Sequence, residues 1–129
     1  MIEISKELLG EVYNFEVKDF VQLGTDDTTY EVRFNGLKNG TNYNIINIYE
    51  LVHKCKEWVN YYGFFLYPAR AFECTFVQYG CAIMKPEYHA GRFVGLFGID
   101  RYDERDYLAS TEVEAVIKAC EWILKELKK

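Results

Sequence analysis

The sequence predicts an α+β fold: an antiparallel sheet of about five strands, two long helices packed on it, and a short N-terminal helix. Three observations carry this. Two stretches repeat apolar residues at helical spacing, and several shorter ones alternate apolar and polar residues at the period of a strand. At 129 residues, 50% of them hydrophobic, the chain suits one domain spanning residues 1–129 with a full core.

The elements follow in order. Ser5 before Lys6-Glu7-Leu8-Leu9-Gly10 reads as a capped short helix that Gly10 helps to end. Tyr13, Phe15, Val17, Val21 and Leu23 then alternate with polar neighbours, the pattern of a half-buried strand. Gly24-Thr25-Asp26-Asp27 turns into a second strand with Tyr30, Val32 and Phe34 on one face, and the two should pair as a hairpin. Asn35-Gly36 and Asn39-Gly40 mark a loop. Asn47 opens a long helix with Glu50 at the capping-box position, and Ile48, Leu51, Val52, Cys55, Trp58 and Val59 line its apolar face until Gly63. Three further strands are expected: Phe64 to Tyr67, Phe72 to Met84 with a break near Gly80, and Arg92 to Ile99. Pro68 and Pro86 should fall between them. Asp100 to Tyr107 reads as an exposed, charged loop. The last helix opens at Thr111-Glu112-Val113-Glu114, with Val113, Val116, Ile117, Cys120, Ile123, Leu124 and Leu127 as its apolar stripe.

Composition narrows the function. A net charge of −5 argues against a DNA or RNA binder, which needs a broad basic face. No apolar run approaches the roughly 18 residues of a membrane span, so no membrane partner is expected. The N-terminal residues lack the basic-then-apolar layout of a signal peptide, and a cytoplasmic protein is the expectation. Cys55, Cys74, Cys81 and Cys120 form no C-x-x-C pair and should be free thiols. Eleven tyrosines exceed what a core of this size can easily satisfy, so many should sit half-exposed on an interface or pocket wall, or pack beside neighbours on a strand face.

Catalytic signals are weak. His53 falls off the apolar stripe of its helix and should be a solvated surface residue. His89 lies in a loop, where it could touch a ligand; a nucleophile pair with Cys74 or Cys81 is conceivable, but no nucleophile turn accompanies it. The six Cys and His residues are too scattered for zinc. Asp100, Asp103, Glu104 and Asp106 lack the glycine and distal glutamate of a calcium loop and alternate with Arg101 and Arg105. There is no Walker loop and no G-x-G-x-x-G. A binding protein with no enzyme activity, metal or cofactor is the expectation.

Arginine is more informative. Four of the five arginines, Arg70, Arg92, Arg101 and Arg105, lie between residues 70 and 105, among Phe72, Tyr88, Tyr102 and other rings. Planar guanidinium forks suit phosphates and stacking, and rings beside them make a nucleotide pocket or a protein interface. Ser110 and Thr111 add a helix start, where free N–H groups favour an anion. Their minimum role is capping, and Glu112 and Glu114 in the first turn oppose an anion. The candidate ligand residues are Arg70, Phe72, Tyr88, Arg92, Arg101, Ser110 and Thr111.

Three stretches resemble small phage and prophage proteins: Ile4-Ser5-Lys6-Glu7-Leu8-Leu9 with Glu11-Val12; Ile46-Asn47-Ile48-Tyr49-Glu50-Leu51 running into His53-Lys54-Cys55-Lys56-Glu57-Trp58; and Thr111-Glu112-Val113-Glu114-Ala115 with Ala119-Cys120-Glu121-Trp122-Ile123. Size, element order and the Thr111 region are similar to the phage Thoeris anti-defence family. That resemblance implies a homo-oligomeric, non-enzymatic sponge that sequesters a cyclic ADP-ribose-type signal, with Thr111 as the position carried over. The alternatives are a phage protein–protein inhibitor or assembly factor using the same arginine and aromatic surface, and a small hydrolase using His89 or a loop carboxylate.

Overall fold

The computed structural model describes residues 2–73, 76–86, 93–97 and 109–129, with the backbone alone at 69–73, 76–78, 82, 85–86 and 93–97. Its elements are α1 (Lys6–Tyr13), β1 (Val17–Leu23), β2 (Thr29–Lys38), β3 (Thr41–Asn47), α2 (Ile48–Tyr61), β4 (Phe65–Glu73), β5 (Phe76–Pro86), β6 (Phe93–Phe97) and α3 (Glu112–Leu127). The α+β class holds, but the strands form two antiparallel three-stranded sheets, β1-β2-β3 and β4-β5-β6, where one sheet of about five was expected. Each sheet is a meander of consecutive strands, and α2 separates them in the chain. Alternation marks a strand without saying which sheet it joins.

α1 runs past Gly10, and Tyr13 lies in this helix, not in a strand. Tyr13 stands four residues after Leu9 on the buried stripe of Leu8, Leu9 and Tyr13. The stop comes from Asn14, whose φ of 54° is left-handed and whose N–H, like that of Phe15, bonds the Gly10 carbonyl. β1 therefore begins only at Val17.

The expected loop at residues 35–40 is a hairpin. β2 continues to Lys38, Asn39 and Gly40 turn with φ of 51° and 85°, and β3 returns with Thr41 opposite Lys38. Positive φ at both central residues is what Asn-Gly supplies to a two-residue turn whose twist matches its strands. In the second sheet, β4 continues through Pro68 and β5 through Gly80, so neither residue breaks a strand. Pro68 is tolerated because β4 is an outer strand of that sheet among the described residues.

One buried cluster joins both sheets and all three helices. Leu8, Leu9 and Tyr13 enter it from α1; Tyr30, Val32, Phe34 and Ile46 from the first sheet; and Cys81 and Ile83 from the second. All six expected apolar positions of α2 are buried, as are Val116, Ile117, Cys120, Ile123 and Leu124 of α3. Leu127, at the last turn, is 40% exposed. α2 and α3 meet where the Cys55 and Cys120 thiols share a hydrogen bond.

Two side chains tie distant segments together. The Ser5 hydroxyl accepts the Leu8 N–H at 3.0 Å as the α1 cap and donates to Glu121 Oε1 of α3 at 2.7 Å. Tyr30 is fully buried; its hydroxyl accepts from the Ile2 N–H at 3.2 Å and donates to Asp27. The Tyr30 ring stacks on Phe20 at 4.6 Å.

Candidate functional site

The start of α3 and the N-terminal half of α2 border a groove of about 520 Å³. Tyr49, Val52, His53 and Lys56 line it from α2, and Thr111, Glu112, Val113 and Val116 from α3. Helical spacing explains the set. Positions 49, 52, 53 and 56 fall on one face at intervals of three and four, as do 112, 113 and 116. Val52 and Val116, both buried, form the apolar floor.

The rim is polar and its charges are mixed. The Thr111 hydroxyl accepts the Glu114 N–H at 3.2 Å, and its carbonyl accepts the Ala115 N–H at 3.1 Å. The Glu114 carboxylate takes the Ser110 hydroxyl at 3.4 Å, and the Thr111 N–H has no partner among the described residues, so the capping box is half made. The N–H groups of Glu112 and Val113 have no partner among the described residues and lie at the positive end of α3. His53 is exposed and pairs with Glu57 at 2.7 Å. Lys56 has no carboxylate within 4.0 Å among the described residues, which leaves it the uncompensated cation of the groove. Glu112 opposes it. The Tyr49 ring, 65% exposed, stands at the mouth.

Sheet register brings a second anticipated segment toward Thr111. Arg70 on β4 pairs with Tyr79 on β5, and Tyr79 exchanges backbone hydrogen bonds of 2.8 and 2.9 Å with Ala109. Arg70, Tyr79 and Ala109 thus stand in one row across three adjacent chain segments, at about 4.8 Å per step. Ser110 and Thr111 follow directly. Phe72, two residues beyond Arg70, pairs with Val77. Of the anticipated ligand residues, Ser110 and Thr111 are exposed at the helix start, and Arg70 and Phe72 are placed by backbone register. Tyr88, Arg92 and Arg101 lie outside the described residues, as do Arg105, Tyr102, His89, Cys74 and the charged loop of residues 100–107.

Tyr49, His53 and Lys56 were missed as groove residues. The signal was present in their spacing along the edge of the apolar stripe, but pairing that face with Thr111 needs the packing of α2 on α3. The described thiols suit a core role. Burial pushes the Cys81 thiol up to about 12, and the bond from Cys55, with burial, holds Cys120 protonated as well. A thiolate is the nucleophile, so neither is poised to attack. No group of three or more metal-ligating side chains occurs among the described residues, and no described helix is long and apolar enough to cross a membrane.

No family model, curated protein or solved structure matches the chain.

Proposed function

We propose that the protein binds and withholds a phosphorylated nucleotide of the cyclic ADP-ribose type without changing it chemically. The groove between α2 and α3 carries this reading. An exposed ring, Tyr49, and a cation, Lys56, with no carboxylate partner among the described residues, line one groove with the start of α3, whose first N–H groups have no partner among those residues. In the bound state the Tyr49 ring stacks on the base, while Lys56, the Glu112 and Val113 N–H groups and the Thr111 hydroxyl take phosphate oxygens. The sequence adds Arg70, on the strand row that leads to Ala109, and Arg92 and Arg101 as candidate guanidinium partners. Phe72 and Tyr88 are the alternative stacking rings. The choice of a cyclic ADP-ribose over other nucleotides rests on the resemblance to the phage anti-defence proteins, in which sequestration denies a signal to a host effector. A high-affinity holder needs no general base or nucleophile, and the described Cys81 and Cys120 thiols, held protonated, fit such a role.

The test is calorimetry with cyclic ADP-ribose isomers, followed by heat release and mass spectrometry of the nucleotide. Binding with recovery of the intact molecule supports the reading. Absence of heat with every isomer removes it, and recovery of a cleaved product replaces it with an enzyme.

A second reading has its own observation. Tyr61, Tyr62, Phe65 and Tyr67, spanning the end of α2 and the start of β4, are 83%, 40%, 39% and 51% exposed. Exposed aromatics in sequence proximity fit a protein-binding surface, as an inhibitor or assembly factor would need. Retention of a host protein by the wild type, lost in Tyr61→Ala/Tyr67→Ala and kept in Lys56→Met, would favour it over the nucleotide.

A further inference from the structure

β3 is an outer strand of the first sheet, with β2 on one side and no strand on the other among the described residues. Such an edge presents unpaired N–H and C=O groups, and proteins usually blunt it with lysine, proline, a bulge or a covering element. β3 has none of the sequence devices: Thr41-Asn42-Tyr43-Asn44-Ile45-Ile46-Asn47 contains no charge and no proline. Its register against β2 runs without a bulge from Tyr43 to Asn47. Behind it on β2, Glu31 and Arg33 neutralise each other at 2.9 Å. In a chain of net charge −5, this edge is an electrically neutral strip. Tyr43 and Ile45, 50% and 56% exposed, stand two apart on the sheet's outer face.

We infer that β3 pairs antiparallel with β3 of a second copy about a two-fold axis at Asn44, joining two three-stranded sheets into one of six strands. That register sets Tyr43 against Ile45 of the second copy, twice, an aromatic ring on a β-branched chain across the strands. A two-fold contact must be self-complementary. The strand meets that demand because an aromatic and a β-branched residue flank the axis and no charge faces its own kind. Pairing consumes the β3 edge of both copies, so growth stops at two. A single strand pair buries little area, so the dimer is concentration-dependent. The inference does not rest on the nucleotide reading, since no groove residue lies on β3.

Sedimentation equilibrium of the full chain over a micromolar to millimolar series tests it. The wild type should rise from 15.2 kDa toward twice that mass. Tyr43→Lys/Ile45→Lys sets like charges across the axis and should stay monomeric. Tyr43→Glu/Ile45→Lys sets opposite charges there and should dimerise, with unchanged far-UV circular dichroism in both. A wild type that is monomeric throughout, or a Lys/Lys variant that still dimerises, overturns the surface. Loss of association in both variants overturns the register, and assemblies larger than two overturn the closed pairing.

Discussion

Lys38 Nζ donates to the main-chain carbonyl of Tyr13 at 3.2 Å while lying 4.6 Å from the centre of the Tyr13 ring and 5.2 Å from that of Phe34. α1 has no basic residue in its last turn. The cation that complements the negative end of this helix comes instead from the far end of β2, 25 residues on in sequence. The β2–β3 hairpin is thereby fastened to α1.

Replacing Lys38 with Met keeps the aliphatic stem and removes the charge. We expect a loss of about 1 kcal/mol, the sum of a helix-end charge and a cation–π contact. Denaturant melts of wild type and variant measure it. A variant as stable as the wild type would mean the contact is merely geometric.

The Tyr13 hydroxyl is buried with no partner among the described residues, and burial drives its ionisation well above the ordinary tyrosine range. Tyr13→Phe keeps the ring under Lys38 and deletes an unsatisfied polar atom. Stability should hold or rise by up to about 1 kcal/mol. A loss beyond that range would reveal a hydrogen bond for this hydroxyl.

Alkaline pH should destabilise the fold early. Burial raises the Cys81 thiol from 9.0 to about 12, and burial with the Asp27 hydrogen bond raises the Tyr30 hydroxyl from 10.0 to about 12. Both folded values exceed the unfolded ones, so their stabilisation is complete below the unfolded values and is lost as pH climbs toward 12. Denaturant midpoints should fall from pH 9 upward, and Cys81→Ala should flatten the first part of that decline. A flat midpoint between pH 9 and 11 would contradict the burial of these groups.

Lys56→Met and Tyr49→Ala should each weaken nucleotide binding by about tenfold, the scale of one charged hydrogen bond or one stacking contact. Their melting curves should change little, since Tyr49 is largely exposed and methionine retains the Lys56 stem. Thr111→Ala should instead cost about 1 kcal/mol of stability through the lost cap, whereas Thr111→Asn should keep it. Calorimetry beside melting separates the two kinds of effect, and unchanged affinity in all four variants would empty the groove of its role.

The long helices were readable from the chain. Asn47 and Thr111 cap the helices they announce, and the stripe from Ile48 to Val59 is buried as its spacing required. Caps and i, i+3, i+4 periodicity are local relations, expressed within a few residues of one another. The boundaries that failed were contests between two local patterns. Tyr13 satisfies both an alternating strand and a helical stripe, and Asn39-Gly40 signals a hairpin as strongly as a loop.

Pairings between distant segments were decided by tertiary structure. Nothing in the alternation of β3 or β4 assigns them to separate sheets, because strand partners are chosen by packing and chain connection. The groove has the same origin. Thr111 carries its capping role in its own sequence neighbourhood, yet Tyr49, His53 and Lys56 join it only because Cys55 of α2 packs on Cys120 of α3. A surface formed by two helices some sixty residues apart in the chain has no local signature, since the free energy that creates it comes from burying both apolar faces together.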